Sequence, residues 1–364
     1  MKIGIVTQPL LNNYGGILQN FALHQELKSL GHSPITLDFL SGYSGLSGFY
    51  WVVRRFINYL LGRISKFNEI FDIYAPKRRN REIDDFIKNH INCTSTFWNG
   101  YSPSLIDKYK LDAIIVGSDQ VWRPMYNQKL TSMFLDFASK HQIRKIAYAA
   151  SFGTSEYEFS KKISSEIAPL IKQFDAISVR ENSGIELVNM LGASAVNVLD
   201  PTLLLGREGF EMLLSHKYKQ NNLGIYILDG LGCPEDDSII NQIRIKADCS
   251  SVSRFTAGEK GMGPIEWLES IWSSKFFITD SFHGTVFCLL FHIPFITVIN
   301  INRGADRFLS LLKPLGLEYR LVSSIDNYSD CIGIQINWEK VDNTLKEYRV
   351  MSRNFLATAL KNIK

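Results

Sequence analysis

The chain has 364 residues, 45% of them hydrophobic and 21% charged, which exceeds what one hydrophobic core usually supports, so two domains of ordinary size are expected. Forty Lys plus Arg against 36 Asp plus Glu leave a formal charge of only +4, far from the basic excess of a nucleic-acid binder, and no nucleic-acid partner is expected. The five cysteines, Cys93, Cys233, Cys249, Cys288 and Cys331, are odd in number and scattered, with no CxxC pair and no His at metal-ligand spacing, which fits a reducing compartment and no bound metal.

Met1 to Thr7 runs straight into a strand pattern, without the charged region, apolar core and small-residue cleavage site of a secretory signal, so a cytoplasmic location is expected. The most apolar stretch, Phe287 to Ile301, falls short of the ~18 residues of a spanning helix and is interrupted by His292 and Pro294. Short apolar runs alternate with longer amphipathic ones along nearly the whole chain, the pattern of parallel strands covered by crossover helices.

Strands are predicted at residues 3–6, 35–37, 113–116, 146–150, 176–179 and 196–199. A helix follows Gly16, with Ile17, Phe21, Leu27 and Leu30 on one apolar face and Gly31 as its stop. A helical insertion covers about 45–95. Within it, residues 49–63 are aromatic, apolar and basic together; such a helix either contacts anionic headgroups at the inner face of a membrane or packs on its own domain. After Asp200-Pro201 further strands are predicted at 224–228, 276–278 and 295–299, and Trp338 begins a terminal helix that packs across both domains or back on the first. The expected division is therefore an α/β domain at 1–205, a second at 206–335 and a helix at 336–364, with the two domains facing a cleft.

The candidate chemistry sits where strands end, as open α/β sheets place it. Asn12-Asn13-Tyr14-Gly15-Gly16 follows the first strand and opens a helix, so backbone N–H groups there can hold an anion or a sugar hydroxyl; two glycines at such a turn can equally serve backbone conformation alone. In Val116 to Trp122, Asp119 and Gln120 are candidate contacts to an acceptor sugar, and Trp122 either stacks on a sugar ring or fills the core. Arg180, after the strand ending at Val179, can hold a phosphate or carboxylate with its forked donors, or pair with Glu181.

Phe276 to Thr285 carries the strongest local signal: an apolar strand, then cap residues, then a helix with a lone His283 in its first turn. The helix dipole lowers the pKa of such a histidine and a bound phosphate raises it again, which suits acid–base work; a structural histidine bonded to a neighbouring carbonyl is the alternative. Arg303 and Arg307, four residues apart, can share a helix face and clamp an anion opposite His283.

In this order the segments Asn13 to Gly16, Val116 to Trp122, Ser178 to Arg180, Leu199 to Pro201 and Asp280 to Gly284 resemble the polysaccharide pyruvyl transferase family over residues 1 to about 320. The resemblance implies two Rossmann-like domains in the arrangement of GT-B glycosyltransferases. It also implies phosphoenolpyruvate as donor substrate with no further cofactor, and a glycan or lipid-linked sugar as acceptor, giving a pyruvate ketal on a cell-surface polysaccharide precursor such as an exopolysaccharide or capsule. By motif position it makes His283 the general acid, Arg180, Ser281 and Gly284 donor contacts, and Asn13, Tyr14, Gly15, Gly16, Asp119 and Gln120 acceptor contacts.

One departure matters. A better-known form of the motif reads Arg-Leu-His-Gly, and Ser281 and Phe282 stand here in the places of Arg and Leu. A donor-binding cation is missing, and Arg303 or Arg307 is the expected replacement. Two other readings are a GT-B glycosyltransferase using a nucleotide sugar and a non-catalytic glycan-binding subunit.

Overall fold

The computed structural model describes residues 1–40, 53, 79–127, 129–215, 218–228, 237–299 and 304–361. Six strands form a first sheet: β1 Lys2–Val6, β2 Ser33–Thr36, β3 Ala113–Val116, β4 Arg144–Ala150, β5 Ala176–Val179 and β6 Val196–Asn197, in the order β2-β1-β3-β4-β5-β6. Five more form a second: β7 Asn222–Tyr226, β8 Ser251–Phe255, β9 Phe276–Thr279, β10 Phe295–Val298 and β11 Leu321–Val322, in the order β11-β10-β9-β7-β8. Every pairing is parallel. The central strands are fully buried apolar runs such as Ala113–Val116 and Phe276–Thr279, as sheets covered on both faces require.

β8 and β11 were not among the expected strands. The first is a half-exposed edge strand with Ser and Arg among its five residues, and the second has only two residues, so neither shows the buried apolar run that marks the others. β6 stops at Asn197 rather than reaching Leu199.

Helix α1, Tyr14–Ser29, is capped by Asn13, whose side-chain oxygen accepts from the Gly16 N–H. The expected single apolar face is corrected: α1 is buried almost all round, because it is wedged between two partners. Leu23 and Leu27 pack with Ile3 and Ile115 of its own sheet, while Ile17 and Phe21 pack with Trp267 and Phe287 of the second domain. Around α1 gather α2, Arg81–His90; α3, Pro201–Leu205; α4, Pro264–Ser273; and α5, Phe282–Phe291. One apolar cluster runs through these helices from both halves, so the domains share a core rather than only facing one another. The predicted segment 49–63 lies outside the described residues apart from Val53.

Two further helices complete the frame: α6, Asp306–Leu312, and α7, Trp338–Leu360. Of the two expected courses for the last helix, α7 takes both in turn. Val341 and Leu345 join the shared cluster, and Leu356, Ala359 and Leu360 pack on the first domain among Ile3, Ile5 and Tyr148. Arg353 holds Glu26 with two bonds, at 3.0 and 2.8 Å, and Arg349 donates to the Leu203 carbonyl at 2.7 Å. Leu356 is fully buried, so Leu356→Ala is expected to cost about 2–5 kcal/mol, read as a lowered urea midpoint; an unchanged midpoint would mean that the strap carries no stability.

Candidate active site

In each sheet the strand order reverses once, between β1 and β3 in the first and between β7 and β9 in the second. Crevices at the carboxyl ends of strands open at such points, and here the two open onto one cavity of about 450 Å³. From the first domain Gln8, Asn12, Asn13, Gly15, Asp119 and Gln120 line it, and from the second Tyr226, Leu228, Ser281, Phe282, His283 and Arg307.

Two helix N-termini meet at its floor. Asn13 caps α1, and Ser281 caps α5 by accepting from the Gly284 N–H at 3.2 Å. The helices approach so closely that a Cβ on Gly15 would lie 2.2 Å from His283 Nδ1 and 2.6 Å from His283 Cβ. Both positive dipole ends therefore aim at the space in front of His283, a setting for an anion. Gly284 itself serves packing: a Cβ there would sit 2.7 Å from Thr279 Oγ1, so glycine lets α5 rest on β9.

Asp119, in the loop just past β3, has φ of 76°, left-handed backbone that costs an L residue about 1 kcal/mol or more. It is held there by three donors: Asn13 Nδ2 at 2.8 Å, the Gln120 N–H at 2.9 Å and Arg180 Nη2 at 3.5 Å. Gln120 presents its backbone carbonyl to Gln8 Nε2 at 3.1 Å and turns its side-chain oxygen to Arg123 Nη1 at 3.1 Å. Tyr14 is buried, and its hydroxyl ties the domains together by donating to the Met262 carbonyl and accepting from the Gly258 N–H. Gly16 supports the cap, since a Cβ there would sit 2.7 Å from Asn13 Nδ2.

Arg180 stands behind the cavity rather than on its wall. Its guanidinium lies 4.5 Å from the centre of the Phe282 ring and meets three carboxylates: Asp200 at 3.2 Å, Asp119 at 3.5 Å and Glu181 at 3.8 Å. It lines a second, mostly apolar cavity of about 420 Å³ on the far side of Phe282. Burial alone would raise the Asp200 carboxyl, but His283, Arg180 and Ser118 together hold it well below the usual carboxylate range. Asp119 is likewise held low against its burial, by Arg180 and His283, whereas burial prevails at Glu181 and pushes it up.

Arg307 reaches the cavity from α6, with its guanidinium 5.0 Å from the Phe308 ring centre and 5.9 Å from that of Phe282. Arg303 lies outside the described residues. Trp122 takes the core alternative: it is fully buried, stacked on Phe134 at 5.0 Å, with its indole N–H on the Met133 carbonyl. Of the three aromatic residues that do line the cavity, Tyr126, Tyr226 and Phe282, Tyr126 is 41% exposed, with the Arg123 guanidinium 5.5 Å from its ring centre. Asn12, in the loop singled out from the sequence, does line the cavity, whereas sequence reasoning missed Tyr126, Gln8, Tyr226 and Leu228. Gln8 and Tyr226 could have been found from their places at the ends of β1 and β7, the strands flanking the reversals. Among the described residues no group of three His, Cys, Asp or Glu is placed to hold a metal ion, and no helix is long and apolar enough to cross a membrane.

Two parallel α/β domains meeting over a cavity at their strand ends, with a final helix strapped across them, define a protein of the GT-B fold. Residues 13–302 match the family model for polysaccharide pyruvyl transferase, and the chain belongs to that family. Among solved structures it is similar to the UDP-GlcNAc 2-epimerase from Neisseria meningitidis bound to UDP-GlcNAc, at 9% identity and a TM-score of 0.53 over 100% of both chains. The UDP-N-acetylglucosamine 2-epimerase from Rickettsia bellii is similar at 9% identity and 0.52, covering 98% of this chain and 95% of that one. MnaA of S. aureus with UDP follows at 10% identity and 0.51, covering 95% and 91%. At these identities the likeness concerns the fold alone. A sequence comparison with curated proteins gives no match.

Proposed function

We propose that the protein transfers the pyruvyl group of phosphoenolpyruvate to a sugar in the cavity, forming a ketal on a precursor of a cell-surface polysaccharide. The observation that carries this reading is the convergence of two helix N-termini on His283 within one cavity. A small, highly charged donor gains from both dipoles, and Arg307 takes the place of the cation that Ser281 cannot supply. His283 gives a proton to the donor's methylene carbon, which becomes the methyl group and leaves an oxocarbenium-like centre. One sugar hydroxyl adds to that centre and loses its proton. The C–O bond to phosphate then breaks, the phosphate leaving with its electron pair, and the second hydroxyl adds to the carbon and gives up its proton to the departing phosphate, so that donor and diol yield ketal and hydrogen phosphate. Asp119 stands at the wall as an acceptor for sugar hydroxyls, and Tyr126 offers a face for the ring.

Thermal melting with phosphoenolpyruvate, UDP and GDP tests the donor. Phosphoenolpyruvate is expected to stabilise the protein, by about 2.7 kcal/mol at one hundred times its dissociation constant, and Arg307→Ala to weaken that stabilisation. Protection by a nucleotide with phosphoenolpyruvate inert would instead make this a nucleotide-sugar glycosyltransferase.

A further inference from the structure

Asp200 carries more bonds than a helix cap needs, and its two oxygens divide them. Oδ1 accepts from the Thr202 N–H at 2.9 Å and the Thr202 hydroxyl at 2.6 Å, which completes the N-terminus of α3. Oδ2 accepts from Ser118 Oγ at 2.6 Å and from Arg180 Nη1 at 3.2 Å, and His283 Nε2 stands 3.6 Å from that same oxygen. That last distance is an ion-pair contact just beyond a hydrogen bond. His283 Nε2 is buried and makes no hydrogen bond, so the carboxylate is the partner it faces.

We propose that Asp200 is a positioning residue for His283: it keeps a proton on Nε2 and thereby makes Nδ1, on the Gly15 side of the ring, the atom that exchanges protons with the cavity. This rests on the reading of His283 as the proton donor. An ionised carboxylate only accepts, so a neutral imidazole facing it must carry its hydrogen on Nε2. The charged ring carries both hydrogens, and Asp200 balances the positive charge. When Nδ1 releases its proton, the remaining hydrogen stays on the Asp200 side, and the ring cannot drift to the tautomer whose Nδ1 is blocked. Asp119 and Asp200 share Arg180 as their buried cation, at 3.5 and 3.2 Å.

The ring nitrogens report this directly. Two-bond ¹⁵N–¹H spectra of the full-length, ligand-free protein, with His283 assigned by its absence from His283→Gln, should show the neutral ring protonated on Nε2. In Asp200→Asn the neutral ring should lose its exclusive Nε2–H pattern, because the amide that replaces the carboxylate can donate as well as accept. Ser118→Ala, which removes a bond from the same oxygen but not its charge, should keep the Nε2–H pattern. A neutral ring protonated on Nδ1 in the wild type, or an unchanged Nε2–H pattern in Asp200→Asn, would overturn the assignment. The wild-type spectrum decides the matter even if Asp200→Asn does not fold. Inert phosphoenolpyruvate alongside an Nε2–H ring would remove the donor reading and leave the pairing intact.

Discussion

Arg180→Met is expected to destabilise the protein by about 3–5 kcal/mol near neutral pH, and by clearly less near pH 5. The guanidinium is 1% exposed and lies within 4 Å of Asp119, Glu181 and Asp200, so its removal leaves three buried carboxylates without their shared cation. In the wild type Asp119 and Asp200 are held below their ordinary values. Their contribution to stability is present above the unfolded carboxyl value of about 3.9 and is lost as pH falls through the folded one. Without Arg180 all three folded values move up from their wild-type positions, least at Asp200, where His283 is the larger counterweight, and furthest in effect at Glu181, which burial already raises. The folded variant therefore gains by taking up protons as pH falls. Urea unfolding of both proteins at pH 8 and pH 5 should give a stability gap that narrows at the lower pH. A gap of the same size at both would show that the variant loses packing against Phe282 rather than charge balance.

The same arginine shows what could and could not be read from the sequence. Its motif was visible because it ends a strand, and strand ends are where open sheets hold ligands. Which strand ends share a crevice depends on strand order, which local pattern does not reveal. β1 and β3 flank the reversal, so Asn13 and Asp119 reach the cavity; β5 lies two strands beyond β3, so Arg180 arrives behind Phe282. The second domain repeats the lesson. His283 was legible from its apolar strand and cap, while Tyr226, at the end of the partner strand β7, carries no local motif. The alternation of strand and helix was legible throughout the central strands because burial on both faces demands unbroken apolar runs. Edge strands β8 and β11 escape that demand and left no such trace. The double-sided burial of α1 could not be foreseen from its own residues, since its second partner is 250 residues away in the chain.

Gly15→Ala is the smallest change expected to disable the site. The added methyl would stand 2.2 Å from Nδ1, 2.4 Å from Cγ and 2.6 Å from Cβ of His283. Because the clash includes Cβ, turning the ring about its own bonds does not relieve it, and α1 or α5 must shift. Both helices are locked in the shared core, where overpacking costs about 1–3 kcal/mol. With His283 as the proposed proton donor, a displacement of the ring by a few tenths of an ångström also moves it off its line to the substrate, and turnover should fall about 100-fold or more. On the same proposal His283→Ala should lower turnover by about 10²–10⁴-fold. A His283→Gly background separates geometry from general damage. There both the ring and Cβ are gone, so adding Gly15→Ala should cost little further stability and no further activity. A double variant whose losses simply add would show that Gly15 serves the turn into α1 and not the placement of His283.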